Sequence, residues 1–241
     1  MGIKKCGEMA KVFADWDLLQ KLPEELRGFK LTRLFVQDEQ ELLLATYRNE
    51  QHRALSIVYT EETGDIVCVK EIGLNSYRDA SMYARTPERF ATEFLAQLDF
   101  LLQNLAEGRG NYPWSAKVIG LDKWKGWQKL PAEMGSFQRF VAPDNPLPYI
   151  NGSIIFLDYS DFERKNQFLL YYNEYRNEIF AEMKRNGLML YTSRYDFNFE
   201  YANLSVKPSQ GMAKLEKLLL SELPAILSAL EKDESVAQWQ K

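Results

Sequence analysis

Short runs of apolar and β-branched residues, separated by polar clusters, dominate residues 29–72. The four runs are 29–36, 42–47, 54–60 and 66–72. Strand-forming runs joined by short polar segments are typical of consecutive antiparallel strands. Gly64, near the end of the third polar cluster, can adopt a positive φ in a tight turn with a bulge. The pattern therefore predicts a four-stranded antiparallel meander.

Apolar residues recur every three or four positions on either side of this region, which is the helical period. Residues 9–22 form one such stretch, and Pro23 ends it. A second helix is predicted from Thr86 to Leu105, because Thr86 provides a capping oxygen and Pro87 occupies the first turn, where no backbone N–H is needed. Its apolar face predicts a helix that covers the sheet.

The second half of the chain predicts a further strand and a long helix. Residues 153–159 have the composition of a strand, and Ser160 or Asp161 is expected to cap the helix that follows. Asn186 and Gly187 would end this helix with a left-handed cap. Its apolar residues recur at helical spacing at Phe168, Tyr172, Tyr175, Ile179 and Met183.

The C-terminal part predicts two more strands and a last helix. The strands are expected at residues 188–195 and 197–206, and the helix from Pro208 to Leu230. Pro224 lies inside this helix and is expected to kink or break it near Glu222.

Residues 111–152 differ from both flanks, because prolines, glycines and three of the tryptophans concentrate there. Disordered linkers are poor in aromatic residues, so an ordered connection is favoured over a disordered one. The predicted organisation is α+β in three parts: residues 1–110 with the meander and its covering helix, the connection 111–152, and a second sheet-plus-helix portion at 153–241. Whether the two halves are separate domains or one continuous domain stays open.

A faint internal symmetry accompanies this organisation. Both halves run from strands into a proline-started, leucine-rich helix. Residue identities between the halves align poorly, which favours the common physics of sheets and helices over an internal duplication.

The amino-acid composition excludes some kinds of metal site and disfavours one class of partner. His52 is the only histidine, and the two cysteines, Cys6 and Cys68, lie far apart in sequence. A histidine cluster or a cysteine cage for a metal therefore cannot form within one chain, and no cofactor is expected. The 30 basic and 34 acidic residues give a net charge of −4, which disfavours nucleic acid as a partner.

The aromatic connection is the leading candidate site. Its proposed ligand-binding residues are Trp114, Trp124, Trp127, Arg139 and Tyr149. Flat rings beside cations can stack on a sugar, a base or a side chain of a partner, so the sequence favours a non-catalytic protein that binds a protein or small-molecule ligand. This hypothesis requires the indole rings to face outward. The alternative is that the tryptophans pin the connection to the core.

A carboxylate cluster supports a second hypothesis. Asp158, Asp161 and Glu163 follow one another at the end of a predicted strand, and Glu163-Arg164-Lys165 has the acid-x-Lys pattern of metal-dependent nucleases. Carboxylates with a divalent ion could hydrolyse a phosphoester. The sequence contains neither a nucleophile elbow nor a glycine-rich phosphate loop before Lys-Ser/Thr.

The remaining expectations concern compartment and assembly. The charged N-terminal residues lead into no long apolar run, and the cysteines form no evident pair, which favours a cytoplasmic protein without a membrane segment. The leucine-rich faces of 86–105 and 209–230 leave a homodimer open.

Overall fold

The computed structural model describes residues 4–108, 110–150, 152–190 and 208–232. Backbone contacts divide the chain into two compact units, Met1–Gly108 and Arg109–Lys241. Residues 111–152 thus belong to the second unit. Both units combine an antiparallel sheet with helices, so the fold class is α+β.

The first unit contains two short helices, a sheet and a long helix. Its helices are α1 (Cys6–Ala14), α2 (Asp17–Lys21) and α3 (Pro87–Glu107). Its strands are β1 (Glu25–Leu26), β2 (Phe29–Asp38), β3 (Glu41–Arg48), β4 (Arg53–Thr60), β5 (Asp65–Ile72) and β6 (Asn75–Ala84). The strands pair in chain order, so the sheet is an antiparallel meander.

Local sequence explains the main elements of this unit. The Thr86 hydroxyl accepts a hydrogen bond from the backbone N–H of Arg89, which confirms the predicted cap of α3. Phe90 and Phe94 of α3 are fully buried and stack with their ring centroids 5.4 Å apart. The predicted meander is confirmed and extended, because β6 pairs with β5 as an additional edge strand that the polar composition of residues 75–81 concealed.

The helix predicted over 9–22 is divided in the structure. Trp16 has an extended backbone between α1 and α2, and its side chain is buried with its ring centroid 5.0 Å from that of Phe13. The break lets both rings pack inward, so tertiary contacts override the helical period here.

The second unit contains one short helix, two 3₁₀ turns, seven strands and a long helix among its described residues. The helices are α4 (Trp114–Val118) and α5 (Pro208–Glu231), and the 3₁₀ turns span Leu121–Lys123 and Gly126–Lys129. The strands are β7 (Glu133–Met134), β8 (Phe137–Val141), β9 (Leu147–Pro148), β10 (Ser153–Asp161), β11 (Asn166–Asn173), β12 (Glu178–Arg185) and β13 (Leu188–Leu190). The sheet order is β13-β12-β11-β10-β8-β7, and β9 also pairs with β10.

The long helix predicted from residue 160 is wrong, because β10, β11 and β12 occupy this region. Phe168 and Tyr172 lie four residues apart, a spacing that places side chains on one face of a strand as well as of a helix. Asn177 adopts a φ of 54° in the turn between β11 and β12, and Asn186 adopts a φ of 51° after β12. These left-handed residues reverse the chain twice where a single helix cap was expected.

The C-terminal predictions have mixed outcomes. The last helix is confirmed as α5, and it continues through Pro224 instead of breaking there. Leu223 and Ile226, which flank this proline, are both buried, so packing holds the helix on either side of the missing hydrogen bond. The strand predicted at 197–206 and residues 191–195 of its predecessor lie outside the described residues.

The two units repeat one pattern of strand pairing. In the first unit, the register between β3 and β4 shifts at Leu44, three residues before Tyr47. In the second unit, the register between β10 and β11 shifts at Phe156, three residues before Tyr159. Both tyrosine hydroxyls are hydrogen-bonded to a proline carbonyl, at 2.8 Å for Tyr47 and 2.5 Å for Tyr159. A shared bulge and a shared tyrosine bond therefore place β3 and β10 at equivalent positions.

The same equivalence extends to the long helices, whose buried residues have identical spacing. In α3 they are Phe90, Phe94, Leu98, Leu101, Leu102 and Leu105. In α5 the corresponding residues are Leu215, Leu219, Leu223, Ile226, Leu227 and Leu230. Each helix therefore presents the same apolar face in its own unit.

Aligned in this way, the units also share a sequence motif. The pattern Trp-x-x-x-Gln-Lys-Leu-Pro-x-Glu occurs at residues 16–25 and again at 124–133. In both copies the motif leads into a two-residue strand and a tight hairpin, β1-β2 or β7-β8. The identities between the halves are therefore concentrated in this motif, which has six identical residues in ten positions.

Candidate ligand-binding pockets

The structure separates the three tryptophans of the predicted site. Trp124 and Trp127 are buried, with 6% and 8% of their surface exposed, and both belong to the hydrophobic core of the second unit. Trp114, at the start of α4, is 76% exposed. The expectation of outward-facing indoles is thus wrong for Trp124 and Trp127 and correct for Trp114.

Arg139 makes two contacts that stabilise the second unit. Its guanidinium lies 4.8 Å from the ring centroid of Trp127, and its Nη1 donates a hydrogen bond to the carbonyl of Leu130 at 2.8 Å. The positive charge over the indole face is a cation–π contact. Arg139 therefore ties the hairpin strand β8 to the motif that precedes it.

A pocket of about 390 Å³ lies beside the two buried tryptophans. We call it the tryptophan pocket, and its side-chain lining includes Tyr112, Lys117, Asp122, Trp124, Lys125, Trp127 and Asp144. The Tyr112 hydroxyl donates to the carbonyl of Pro143 at 2.9 Å, and burial raises its pKa. Two cations and two anions line this pocket, so it offers no single sign of charge to a ligand.

A second pocket, of about 330 Å³, contains the remaining predicted residue, Tyr149. We call it the tyrosine pocket, and it is lined by Tyr149, Ile150, Ser153, Tyr171, Asn173, Tyr175, Arg176, Phe180 and Glu182. Strand pairing creates it, because Tyr171 of β11 lies directly opposite Phe180 of β12. The rings of these two residues stack with centroids 5.3 Å apart, and Tyr149 meets Tyr171 edge-on at 5.8 Å.

Glu182 and Arg176 are the charged residues of the tyrosine pocket, and Glu182 is the more buried of the two. Its Oε2 atom is buried and accepts no hydrogen bond from the residues that the structure describes. Burial raises the pKa of this carboxyl, while hydrogen bonding by the Tyr171 hydroxyl and the charge of Lys184 act in the opposite direction. The pocket thus combines aromatic faces with a buried acceptor that has unused capacity.

Asp158, Asp161 and Glu163, the carboxylates of the hydrolase hypothesis, do not gather into one group of three ligands. Asp158 is fully buried and accepts hydrogen bonds from Ser160 at 2.7 Å and Gln167 at 2.8 Å. Asp161 is also buried, whereas Glu163 is exposed in the turn after β10. Within the described ranges, no three His, Cys, Asp or Glu side chains gather in a way that could hold a metal ion.

The structure therefore brings together residues that the sequence pattern did not connect. Trp124 and Trp127 share the tryptophan pocket, Tyr149 lines the tyrosine pocket, and neither Trp114 nor Arg139 lines either of them. Phe180 and Glu182 were missed because residues 160–186 were predicted to be helical. Strand alternation after Asn177 would have placed both side chains on one face, opposite Ile179 and Met183.

Comparisons of the chain with protein-family models, with curated proteins and with solved structures give no match. Among the described helices, none is long and apolar enough to cross a membrane. The geometry of the pockets is therefore the evidence on function.

Proposed function

We propose that this protein is a non-catalytic, cytoplasmic binding protein that holds a small organic cation in the tyrosine pocket. The observation that carries the proposal is the buried Oε2 atom of Glu182, without a hydrogen-bond partner among the described residues, in a pocket lined by aromatic rings. A buried acceptor without a partner is unfavourable by about 1–3 kcal/mol. An ammonium or guanidinium group would remove this penalty and neutralise the carboxylate.

The aromatic rings of the tyrosine pocket are a second source of attraction for a cation. Tyr149, Tyr171, Tyr175 and Phe180 line the same pocket. An aromatic face attracts a cation by roughly 0.5–2 kcal/mol, and several faces around one site form the aromatic cages that recognise quaternary ammonium groups. Aromatic lining together with one buried carboxylate therefore favours a cation over an anion or a neutral polar molecule.

A cation–π contact between Arg176 and Phe180 supports a cationic ligand. Its guanidinium lies 5.7 Å from the ring centroid of Phe180, at the exposed turn between β11 and β12. The pocket wall thus already attracts a positive group. Because a bound cation would compete with this contact, Arg176→Ala is expected to increase the affinity for a cationic ligand.

The size of the pocket limits the ligand. A volume of about 330 Å³ is near the lower end of small-molecule sites, so we expect a compact cation rather than a nucleotide or an oligomer. The cytoplasmic compartment is supported by Cys6 and Cys68, which are both free and buried.

Calorimetric titration with 3,3-dimethylbutylammonium, whose N–H groups can donate to the Glu182 carboxylate, tests the proposal, and 3,3-dimethylbutanol serves as its uncharged analogue of the same shape. We expect the ammonium compound to bind and the alcohol to bind at least about tenfold more weakly. Glu182→Gln should lower the affinity for the ammonium compound by a similar factor, whereas Glu174→Gln, at an exposed position, should leave it unchanged. Equal binding of the two probes, or no binding of either at millimolar concentration, would rule the proposal out.

A further inference from the structure

The first unit contains a groove between its N-terminal helices and the start of α3. We call it the Trp16 groove, and it is lined by Val12, Asp15, Trp16, Asp17, Leu18, Lys21, Pro87, Glu88, Ala91 and Leu95. Its volume is about 330 Å³. Val12 and Leu95 are exposed at 45% and 41%, so the groove has an apolar rim as well as an apolar floor.

The second unit fills the corresponding place with one of its own side chains. Glu216 of α5 accepts a hydrogen bond from the indole nitrogen of Trp124 at 3.4 Å and forms an ion pair with Lys129 at 2.5 Å. Gly126 makes room for this carboxylate, because a Cβ atom there would lie 1.8 Å from the Oε2 atom of Glu216. The carboxylate of Glu216, the indole of Trp124 and the ammonium of Lys129 thus fill this position of the second unit.

The repeat assigns a counterpart to each of these residues. Trp124 and Lys129 correspond to Trp16 and Lys21 in the shared motif. Glu216 follows Leu215, which corresponds to Phe90 of α3, so the residue at the place of Glu216 in α3 is Ala91. In the second unit the Glu216 side chain reaches Trp124. In the first unit its counterpart, Ala91, has only a methyl group, and the Trp16 groove lies at this position.

The charges around the two tryptophans are reversed. The residues on either side of Trp124 are Lys123 and Lys125, which suit the acidic Glu216. Those on either side of Trp16 are Asp15 and Asp17. With Glu88, the Trp16 groove has three carboxylates against the single cation of Lys21, which already pairs with Asp17 at 3.4 Å. An occupant of this groove must therefore be basic.

We propose that the Trp16 groove docks a segment of a partner protein that carries a lysine or arginine between apolar residues. The basic group would lie beside the face of Trp16 and between the carboxylates of Asp15 and Asp17, and the apolar neighbours would cover Val12 and Leu95. Helices with one apolar and one basic face are a common form of such segments. The proposal is independent of the tyrosine pocket, since it concerns the other unit and a macromolecular partner.

Calorimetry with two short helical peptides tests the proposal. One contains leucine and arginine on adjacent faces, and the other has glutamate in place of every arginine. We expect the arginine peptide to bind and the glutamate peptide not to bind. Ala91→Gln places in α3 an uncharged side chain of the same length as the one that fills this position in the second unit, so it should weaken binding of the arginine peptide by at least about tenfold. Ala96→Gln, the same change at an exposed position of α3, is the matched control and should have little effect.

Reversing the charges beside Trp16 tests the contribution of Asp15 and Asp17 separately. Replacing both Asp15 and Asp17 by lysine should reverse the preference, so that the glutamate peptide binds better than the arginine peptide. This double variant changes exposed side chains, and it decides the matter even if Ala91→Gln disturbs the fold, which circular dichroism would detect. Equal binding of the two peptides, no binding of either, or equal effects of Ala91→Gln and Ala96→Gln would each overturn the proposal.

Discussion

Glu216 accepts a hydrogen bond from the indole N–H of Trp124 at 3.4 Å, which connects α5 to the second copy of the shared motif. Hydrogen bonding by Lys129 lowers the pKa of the Glu216 carboxyl, and the Trp124 indole adds to this effect. The ionised form is thus the one that the folded second unit prefers. Its contribution to stability is present above the unfolded-state pKa and is lost as the pH falls through the folded-state pKa.

We expect Glu216→Ala to lower the free energy of unfolding by about 1–2 kcal/mol at neutral pH, because it leaves an indole N–H and an ammonium without their acceptor. The difference from the wild type should shrink in acid, once the pH is below about 4. Urea unfolding at several pH values measures both effects. Lys217→Ala, an exposed change on the same helix, provides the reference, and a loss independent of pH would contradict the ionic part of the argument.

The three tryptophans should differ in their contribution to stability. Trp124→Ala and Trp127→Ala each remove a ring from the core, so we expect each to lower the free energy of unfolding by about 3–5 kcal/mol. Trp114 is largely exposed, and Trp114→Ala should change stability by less than about 0.5 kcal/mol. Chemical denaturation of the three variants gives the comparison. Equal stability of all three would show that the buried indoles are not part of the core.

Asp158 should make stability depend on pH in the direction opposite to Glu216. Burial raises its pKa to about 6, so its stabilising contribution is complete below the unfolded-state pKa and is lost as the pH rises through about 6. A shift of roughly two units corresponds to about 3 kcal/mol at most. We therefore expect Asp158→Asn to gain stability relative to the wild type between about pH 4 and pH 7.

Thermal unfolding across this pH range measures the effect of Asp158→Asn. An asparagine can still accept from Ser160, and rotation of the Gln167 amide would turn its Oε1 atom, which is buried without a hydrogen bond among the described residues, toward the new donor. Glu163→Gln, at an exposed carboxylate in the same region, is the matched control. A constant difference between Asp158→Asn and the wild type at every pH would refute the proposed titration.

The equivalent tyrosines of the two units should make equal contributions. Tyr47→Phe and Tyr159→Phe each leave one proline carbonyl without its hydrogen bond, so each is expected to reduce the free energy of unfolding by about 1 kcal/mol. Tyr175→Phe changes a side chain that is 82% exposed and should have almost no effect on stability. Urea denaturation measures all three. A loss at only one of the two equivalent positions would mean that the shared hydrogen bond serves different purposes in the two units.

Local sequence was sufficient to predict some helices and strands, but it left others ambiguous. Thr86 and Pro87 specify the start of α3 by their own chemistry, and strand alternation specifies most of the first meander. Phe168 and Tyr172 do not discriminate in the same way, because a separation of four residues satisfies both a helix and a strand. The pairing partner in β12 removes that ambiguity, and it is available only after the chain has folded.

The candidate site was less predictable than the fold. Aromatic composition indicated residues 111–152, but it does not show on which side of the backbone each ring will lie. Tyr149 was found from composition, whereas Glu182 and Phe180 became recognisable only through the turn at Asn177, which places them beside Tyr171. The correspondence of Trp16 with Trp124 was readable from the sequence, because the shared motif runs without a gap at 16–25 and 124–133, but only the equivalent hairpins drew attention to it.

The sequence by itself determined the α+β class, the covering helices and the lack of a second histidine for a histidine-cluster metal site, because these depend on periodicity, capping and composition, which are local properties. Only the tertiary structure decided which rings are buried, which carboxylate lacks a partner among the described residues, and where Ala91 stands in place of a glutamate. Those properties depend on contacts between residues far apart in the chain, and no short-range pattern encodes such contacts.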